Sequence, residues 1–408
     1  MNSPAPINNK ISTFASITGE DNFKLLDFRK VKNIDPLLSI LAIALVVIGW
    51  LNMFSASEEH SISYFYKHLT IFFITLPIVF LLTIIDYKIF VSISPVFYII
   101  SIIILVGIFG LGIQVKGSER WYELGALRFQ PSEINKILLV LTLTWYFKMV
   151  EERIRKFWWY AMAFVITAIP AILILLQPNL GTAVSLIPIV IFMLLIGGCK
   201  IWHWVATILA GFIVIVFLYL EISSLTPEKI RAGEHPPYLP LKPHQLMRIY
   251  SFFNPDADIK GSGWQTYQSK ITIGSGGIYG KGFRKGTQSR LNYLPEYHTD
   301  FIFSHFAEEN GFYKSLGLLI LYLLLLIRML TLAYKATEYE GKLLIVGVTA
   351  IFFFHISVNI GITMGLLPVT GLPLPFLSYG RSFYLTCMVA IGLIFSVPKQ
   401  KAFLFKVE

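Results

Sequence analysis

The chain has 408 residues, of which 55% are apolar and only 14% charged, whereas an ordinary soluble domain carries about 25% charged residues; a soluble enzyme is excluded. At about 20 residues per spanning helix, this apolar content supplies at most about eleven spans. The net charge of +10 does not signal nucleic acid, because in a membrane protein the placement of basic residues carries the information. Cys199 and Cys387 both sit in apolar runs and offer neither a disulfide framework nor a Cys/His metal cluster.

The first 35 residues are polar, and the apolar run after them lacks a small-residue cleavage site, so it reads as a retained span rather than a leader. Apolar runs long enough to span lie near 37–55, 69–85, 95–115, 132–149, 158–176, 180–198, 202–221, 313–333, 343–365 and 380–397. With the N-terminus inside, Lys and Arg crowd the inner segments, from Lys10, Lys24, Arg29, Lys30 and Lys32 through Arg153, Arg155 and Lys156 to Lys399, Lys401 and Lys406. The short outer loops hold Lys67, Lys116, Arg120 and Arg128. The positive-inside rule then places both termini in the cytoplasm. The expected fold is an all-α polytopic membrane protein of about ten transmembrane helices, with one large extracytoplasmic loop between spans seven and eight. Its expected divisions are a cytoplasmic tail over 1–35, helices one to seven within 36–221, an outer loop with an interfacial helix over 222–312, helices eight to ten within 313–397 and a cytoplasmic tail over 398–408.

Ionisable and amide side chains at membrane depth are costly, so each asks for a reason. The fourth span opens Gln130-Pro131-Ser132-Glu133-Ile134-Asn135-Lys136, which sets Lys136 about 7 Å inside the helix. Lys136 either pairs with Glu133 at i,i+3 and snorkels outward, or is a cation waiting for a lipid phosphate. Gln177-Pro178-Asn179-Leu180, followed by Gly181-Thr182, is a tight turn that brings amides to the membrane edge. In the ninth span His355 and Asn359 share a face, and the helix is then broken by Gly361, Gly365, Pro368, Gly371, Pro373 and Pro375 before Ser378-Tyr379-Gly380. Irregular backbone at that depth must be buried or line a wet cavity, here one that opens outward.

The outer loop begins with the prolines Pro236, Pro237, Pro240 and Pro243 and ends in Leu294-Pro295-Glu296-Tyr297-His298-Thr299-Asp300. The following Phe301 to Gly311 reads as a short amphipathic helix at the membrane surface. Asp300 either caps that helix or is a carboxylate acting as base or metal ligand at the outer interface. Gly276-Gly277-Ile278-Tyr279-Gly280-Lys281 is one residue short of a phosphate loop and lacks the hydroxyl after Lys. Lys270, Lys281, Arg284, Lys285 and Arg290, with Tyr267, Tyr279 and Phe283 among them, suit anionic head groups, sugar stacking or a solvated loop.

Taken together, Phe129-Gln130-Pro131-Ser132-Glu133, Gln177 to Thr182, Ile273 to Gly277, Leu294-Pro295-Glu296 with His298 to Phe303, and Leu374 to Gly380 resemble, in order, the SEDS family (shape, elongation, division and sporulation) of bacterial peptidoglycan polymerases. Lys285-Gly286-Thr287-Gln288 and Met364 to Pro375 are similar to its elongation branch, RodA, rather than to the division branch, FtsW. Asn179 stands where the family usually has Asp, and Arg381 where it usually has Gly.

The resemblance implies a multi-pass protein of the bacterial cytoplasmic (inner) membrane that polymerises lipid II, an undecaprenyl-pyrophosphate disaccharide-pentapeptide, by inverting glycosyl transfer. It implies Asp300 as general base or as ligand of a divalent cation, magnesium or manganese, with no other cofactor, and Lys136 and Arg120 neutralising pyrophosphate. Glu133, Gln130, Ser132, Glu296, His298, Gln177, Thr182, Lys270, Ser378 and Tyr379 complete the expected substrate-binding set. A class B penicillin-binding transpeptidase and other membrane proteins of the elongation complex are the implied partners. A lipid II flippase and the division-type polymerase are the alternatives.

Overall fold

An acidic cap and a proline start the first long helix: Asp35 accepts from the Leu38 amide at 2.9 Å, and Pro36 takes the first position, where its missing N–H leaves nothing unpaired. The computed structural model describes residues 26–57, 62–115, 118–124, 127–234, 241–254, 262–291 and 293–398. Lys10, Lys24, Lys116, Pro236, Pro237, Pro240, Lys399, Lys401 and Lys406 lie outside the described residues. The elements in chain order are α1 (Pro36–Ala56), α2 (Ile62–Ile84), α3 (Tyr87–Leu111), the strands β1 (Ile113–Val115), β2 (Ser118–Leu124) and β3 (Leu127–Phe129), then α4 (Pro131–Val150), α5 (Phe157–Leu176), α6 (Leu180–Ile196) and α7 (Ile201–Ser223). The outer loop contributes α8 (Pro227–Ala232), α9 (Pro243–Phe253), α10 (Ser262–Ser275) and α11 (Thr287–Arg290), and α12 (Ile302–Lys335), α13 (Tyr339–Thr363) and α14 (Arg381–Ser396) close the chain.

The long helices α1 to α7 and α12 to α14 follow the expected apolar runs in order. Among the described residues, 7 helices are long and apolar enough to cross a membrane by themselves: α1, α2, α3, α5, α7, α12 and α13. The short α6 and α14, and α4 with Glu133, Lys136 and Lys148, are instead wrapped by neighbours. α3 and α13 pack on α4, α6 and α12 pack on α13, and α14 packs on α2. α4 and α13 form the centre, each with buried side chains on most of its faces, as a helix apolar all round requires. α7 is the opposite case, with Ile222 its one buried residue. α2 and α3 start earlier than their apolar runs; Asp86 caps α3 through the Lys88 amide at 2.9 Å, and Tyr87 is fully buried.

Two features correct the expectation. After α3 the chain forms a three-stranded antiparallel sheet in the order β1-β2-β3, with Tyr122 opposite Phe129. Tyr122 donates to the Ile104 carbonyl of α3 at 2.9 Å, so the face of β2 shared by Tyr122 and Arg120 turns toward the bundle. The segment expected to lie on the membrane surface is the buried first part of α12: Ile302 through Glu309 are all buried. It ends at Gly311, whose φ of 71° breaks the helix. A Cβ on Gly311 would meet the Gly280 nitrogen at 2.2 Å, so the 276–282 loop is pressed directly on this kink.

Candidate active site

Asp300 is placed by what holds the three carbonyls before α12. Leu294 and Phe301, both fully buried, anchor the segment at its ends. A turn at Glu296 (φ 54°) lets its carbonyl accept from the Thr299 and Asp300 amides, each at 3.1 Å. The broken stretch after α13 then grips the segment. Tyr379 N–H donates to the His298 carbonyl at 3.0 Å, the Ser378 hydroxyl donates to the Thr299 carbonyl at 2.7 Å, and the Asn359 amide donates to the Asp300 carbonyl at 3.0 Å and the Leu372 carbonyl at 2.8 Å. His298 stacks on Tyr64 with ring centroids 4.9 Å apart, and Tyr64 meets Tyr379 edge-on. Glu296, His298, Ser378 and Tyr379 therefore frame Asp300.

Asp300 does not cap α12: the capping position is Phe301, and no side chain bonds the first turn. Its half-buried carboxylate lies against Gly371. Burial pushes its pKa above the ordinary value, and Glu296 adds to this, while Arg248, the Thr299 hydroxyl and Arg120 pull it back. A carboxylate raised in this way is a better general base than an ordinary one.

Arg120 and Arg248, from separate parts of the chain, β2 and α9, both act electrostatically on Asp300. They line a cleft with His244, Gln245, Pro178, Asn179, Leu180, Val369 and Thr370. Burial lowers the Arg120 pKa, while Asp300 and Glu133 raise it. His244 is lowered by burial and by the charges of Arg248, Lys242 and Arg120.

Lys136 does not line this cleft. It is fully buried, 2.8 Å from Glu133 Oε2, 2.8 Å from His355 Nε2 and 4.7 Å from the Phe383 ring centre. The pair with Glu133 is present, but the ammonium points into protein and does not snorkel, because His355 and the Phe383 face replace its water. Thr182 donates to the other oxygen of Glu133 at 3.5 Å. Gln130 donates to the Ser132 hydroxyl at 3.0 Å, and Gln177 donates to the Leu105 carbonyl at 2.9 Å. These four are buried framework around the Lys136 pair. Lys270 is exposed on α10 and lies against Gly365.

The family described as FTSW_RODA_SPOVE, cell cycle protein, matches residues 33–402. The chain belongs to this family. Peptidoglycan glycosyltransferase MrdB of Escherichia coli (strain K12) is 34% identical over 391 residues, covering 95% of this chain and 99% of that protein. Peptidoglycan glycosyltransferase RodA of Treponema pallidum (strain Nichols) is 33% identical, covering 91% and 99%. A solved structure described as the structural coordination of polymerization and crosslinking by a peptidoglycan synthase complex is 30% identical, with a TM-score of 0.71 over 89% of this chain and 96% of that one.

In this FtsW, RodA and SpoVE family member, the cleft residues His244, Gln245 and Arg248 escaped the reading of the sequence. The available signal was the spacing His244 to Arg248, four apart and so on one helix face, directly after Pro243 at a helix start. Asn179 caps α6, its Oδ1 accepting from the Thr182 amide at 3.4 Å. Arg381 opens α14 within electrostatic reach of Tyr379.

Proposed function

We infer that the chain is a peptidoglycan glycosyltransferase of the elongation type, which polymerises lipid II on the outer face of the bacterial cytoplasmic membrane, with Asp300 as general base. The observation that carries this is the half-buried Asp300 carboxylate, which lies against Gly371, is raised in pKa by burial, and feels the charges of Arg120 and Arg248, two residues that line one cleft. Asp300 takes the proton from the 4-hydroxyl of an acceptor sugar as that oxygen attacks the anomeric carbon of the donor, and the lipid-borne pyrophosphate leaves. A single displacement needs one base and charge neutralisation at the leaving group, without a second carboxylate as nucleophile. The elongation type is supported by the two relatives named MrdB and RodA.

Among the described residues no group of three His, Cys, Asp or Glu side chains is close enough to hold a metal ion. The charges around Asp300 are largely cationic, a poor donor set for magnesium or manganese, so no step here is routed through a metal. Lys136, tied to Glu133 and His355, is a positioning residue rather than a pyrophosphate ligand.

Ten spans with both termini inside fit the helix order and the basic inner segments. At the helix ends opposite Asp300, Lys30 pairs with Asp86 at 2.8 Å, Arg328 with Asp35 at 2.6 Å, Lys88 with Glu338 at 3.0 Å and Lys148 with Glu340 at 2.8 Å. Four ion pairs across that end support an enzyme working on one face rather than a flippase, which must open both. A crosslinking transpeptidase of the penicillin-binding class is the partner that the synthase-complex likeness supports. The test is a proteoliposome with lipid II confined to the outer leaflet: glycan chains made by the wild type and absent with Asp300→Asn support this reading, and lipid II appearing inside without glycan overturns it.

A further inference from the structure

We propose that the starts of α5 and α7, at the end of the bundle opposite Asp300, form a binding surface for one anionic phospholipid. Arg155, Lys156 and Lys200 hold its phosphate, and its acyl chains lie along α7. The first observation is where the free cations are. Lys30, Lys88, Lys148 and Arg328 at this end are taken up by Asp86, Glu338, Glu340 and Asp35, whereas Arg155, Lys156 and Lys200 are exposed and form no ion pair among the described residues. Arg153 is already engaged: it donates to the Met149 carbonyl at 2.7 Å and the Val150 carbonyl at 3.3 Å and lies 5.2 Å from the Trp159 ring centre. The acids beside these cations are Glu151 and Glu152, and Glu151 acts on Tyr339 of α13, so the local balance is positive.

The second observation is that both helices begin with the wrong charge for a helix start. Lys156 caps α5 and Lys200 caps α7, no side chain bonds either first turn, and neither first turn holds an acid. A helix start carries partial positive charge and prefers Ser, Thr, Asp or Asn at its cap; here the caps add charge of the same sign. The two starts are also side by side. The His203 ring meets those of Phe157 and Tyr160 at 6.2 and 4.8 Å between centroids, and the Tyr160 hydroxyl donates to the His203 carbonyl at 3.2 Å. His203 Nδ1 is buried at this junction without a partner among the described residues. An anion seated here offsets the repulsion between the caps, and a phosphate group offers acceptor oxygens to amides, ammonium groups and a guanidinium alike.

The third observation selects a lipid over a soluble anion. Trp158 and Trp202 are 80% and 75% exposed, with Phe157 and Ile201 exposed beside them. Of the chain's 8 tryptophans, Trp158, Trp159, Trp202 and Trp204 sit at these two helix starts, and indole rings collect at the level of lipid head groups. Beyond the junction Ile208, Phe212 and Ile215 of α7 are also exposed, a strip that receives hydrocarbon. α5 has 20 residues, so the surface lies about 30 Å from Pro178 and Asn179 of the Asp300 cleft, and it does not depend on the glycosyltransferase reading.

The test is native mass spectrometry of the full-length protein in a non-ionic detergent, titrated with equal amounts of phosphatidylglycerol and phosphatidylcholine. The wild type retains phosphatidylglycerol in preference. Arg155→Gln, Lys156→Gln and Lys200→Gln combined lower that preference about tenfold or more, because each cation near an anionic head group contributes. All three side chains are exposed, so the triple variant keeps the wild-type melting temperature. Lys32→Gln with Lys335→Gln, which removes two exposed cations of the same end, leaves the preference unchanged. Equal retention of the two lipids by the wild type, an undiminished preference in the triple variant, or an equal loss in the Lys32 and Lys335 variant overturns the proposal. Displacement of phosphatidylglycerol by inorganic phosphate, but not by chloride at the same ionic strength, also overturns it, since the surface would then be a site for a soluble anion.

Discussion

Lys136 donates to Nε2 of His355 at 2.8 Å in the buried centre of the bundle. The other ring nitrogen, Nδ1, is 3.0 Å from the Pro373 carbonyl. A carbonyl can only accept, so Nδ1 carries the proton and Nε2 presents its lone pair to the ammonium. The ion pair of α4 is thereby tied to α13 and to the broken stretch whose Ser378 and Tyr379 hold the Asp300 segment.

Removing the lysine should therefore damage the fold before it damages binding. Lys136→Met leaves the Glu133 carboxylate buried without its cation, which costs about 3–5 kcal/mol, and the melting temperature in detergent should fall sharply. Adding Glu133→Gln to Lys136→Met should restore most of it. A single variant that melts like wild type would contradict the buried pair.

Asp300→Asn keeps the shape of the side chain but cannot take a proton. The hydrogen bonds that place the segment run through backbone carbonyls, so the variant should melt like wild type. Its polymerisation rate in a purified lipid II assay should fall at least about 10²- to 10⁴-fold, the usual share of base catalysis. Normal glycan length and rate would refute the role.

The acid limb of activity should lie above the ordinary carboxylate range, because burial raises Asp300 and the protonated form cannot accept the hydroxyl proton. Arg248 pulls that pKa down, so Arg248→Gln should move the limb of a kcat profile to higher pH. A limb that stays in place, or moves to lower pH, would show that some other group titrates.

Gly311→Ala tests the docking of the 276–282 loop on α12. The φ of 71° strains an alanine, and its Cβ would approach the Gly280 nitrogen at 2.2 Å. The loop is otherwise held by buried Glu308, which accepts from Lys281 at 2.6 Å and from the Thr287 and Gln288 amides at 2.8 Å each. The backbone strain alone is worth about 1–3 kcal/mol, and a lower melting temperature together with faster proteolysis after Lys281 should follow. Unchanged stability would mean that the loop does not sit on the kink.

The order of the long helices was legible in the sequence because a bilayer imposes a length and an apolarity that composition alone reveals. Asp300 stood out because a carboxylate between apolar runs is costly to keep unless it does chemistry, and its motif placed the chain with a known family. The three-stranded sheet after α3 escaped notice because its strands are short, 3, 7 and 3 residues, too short to show a periodic face. Burial of Ile302 to Glu309 was also hidden: a segment with Phe, His and two Glu reads as amphipathic until Lys281 of the 276–282 loop is seen to pair with Glu308 and Ser55 of α1 to donate to Glu309.

Residue type and order determined that this chain lives in a membrane, how its helices follow one another, and which carboxylate stands out as the proposed base. Only the tertiary structure decided which cations face that carboxylate. Arg120 and Arg248 lie far apart in the chain and converge through the packing of β2 and α9, whereas Lys136, the most conspicuous cation in the sequence, is turned inward by Glu133 and His355. Sequence spacing reports what is near along one element; an electrostatic field is summed over all elements that fold to the same place.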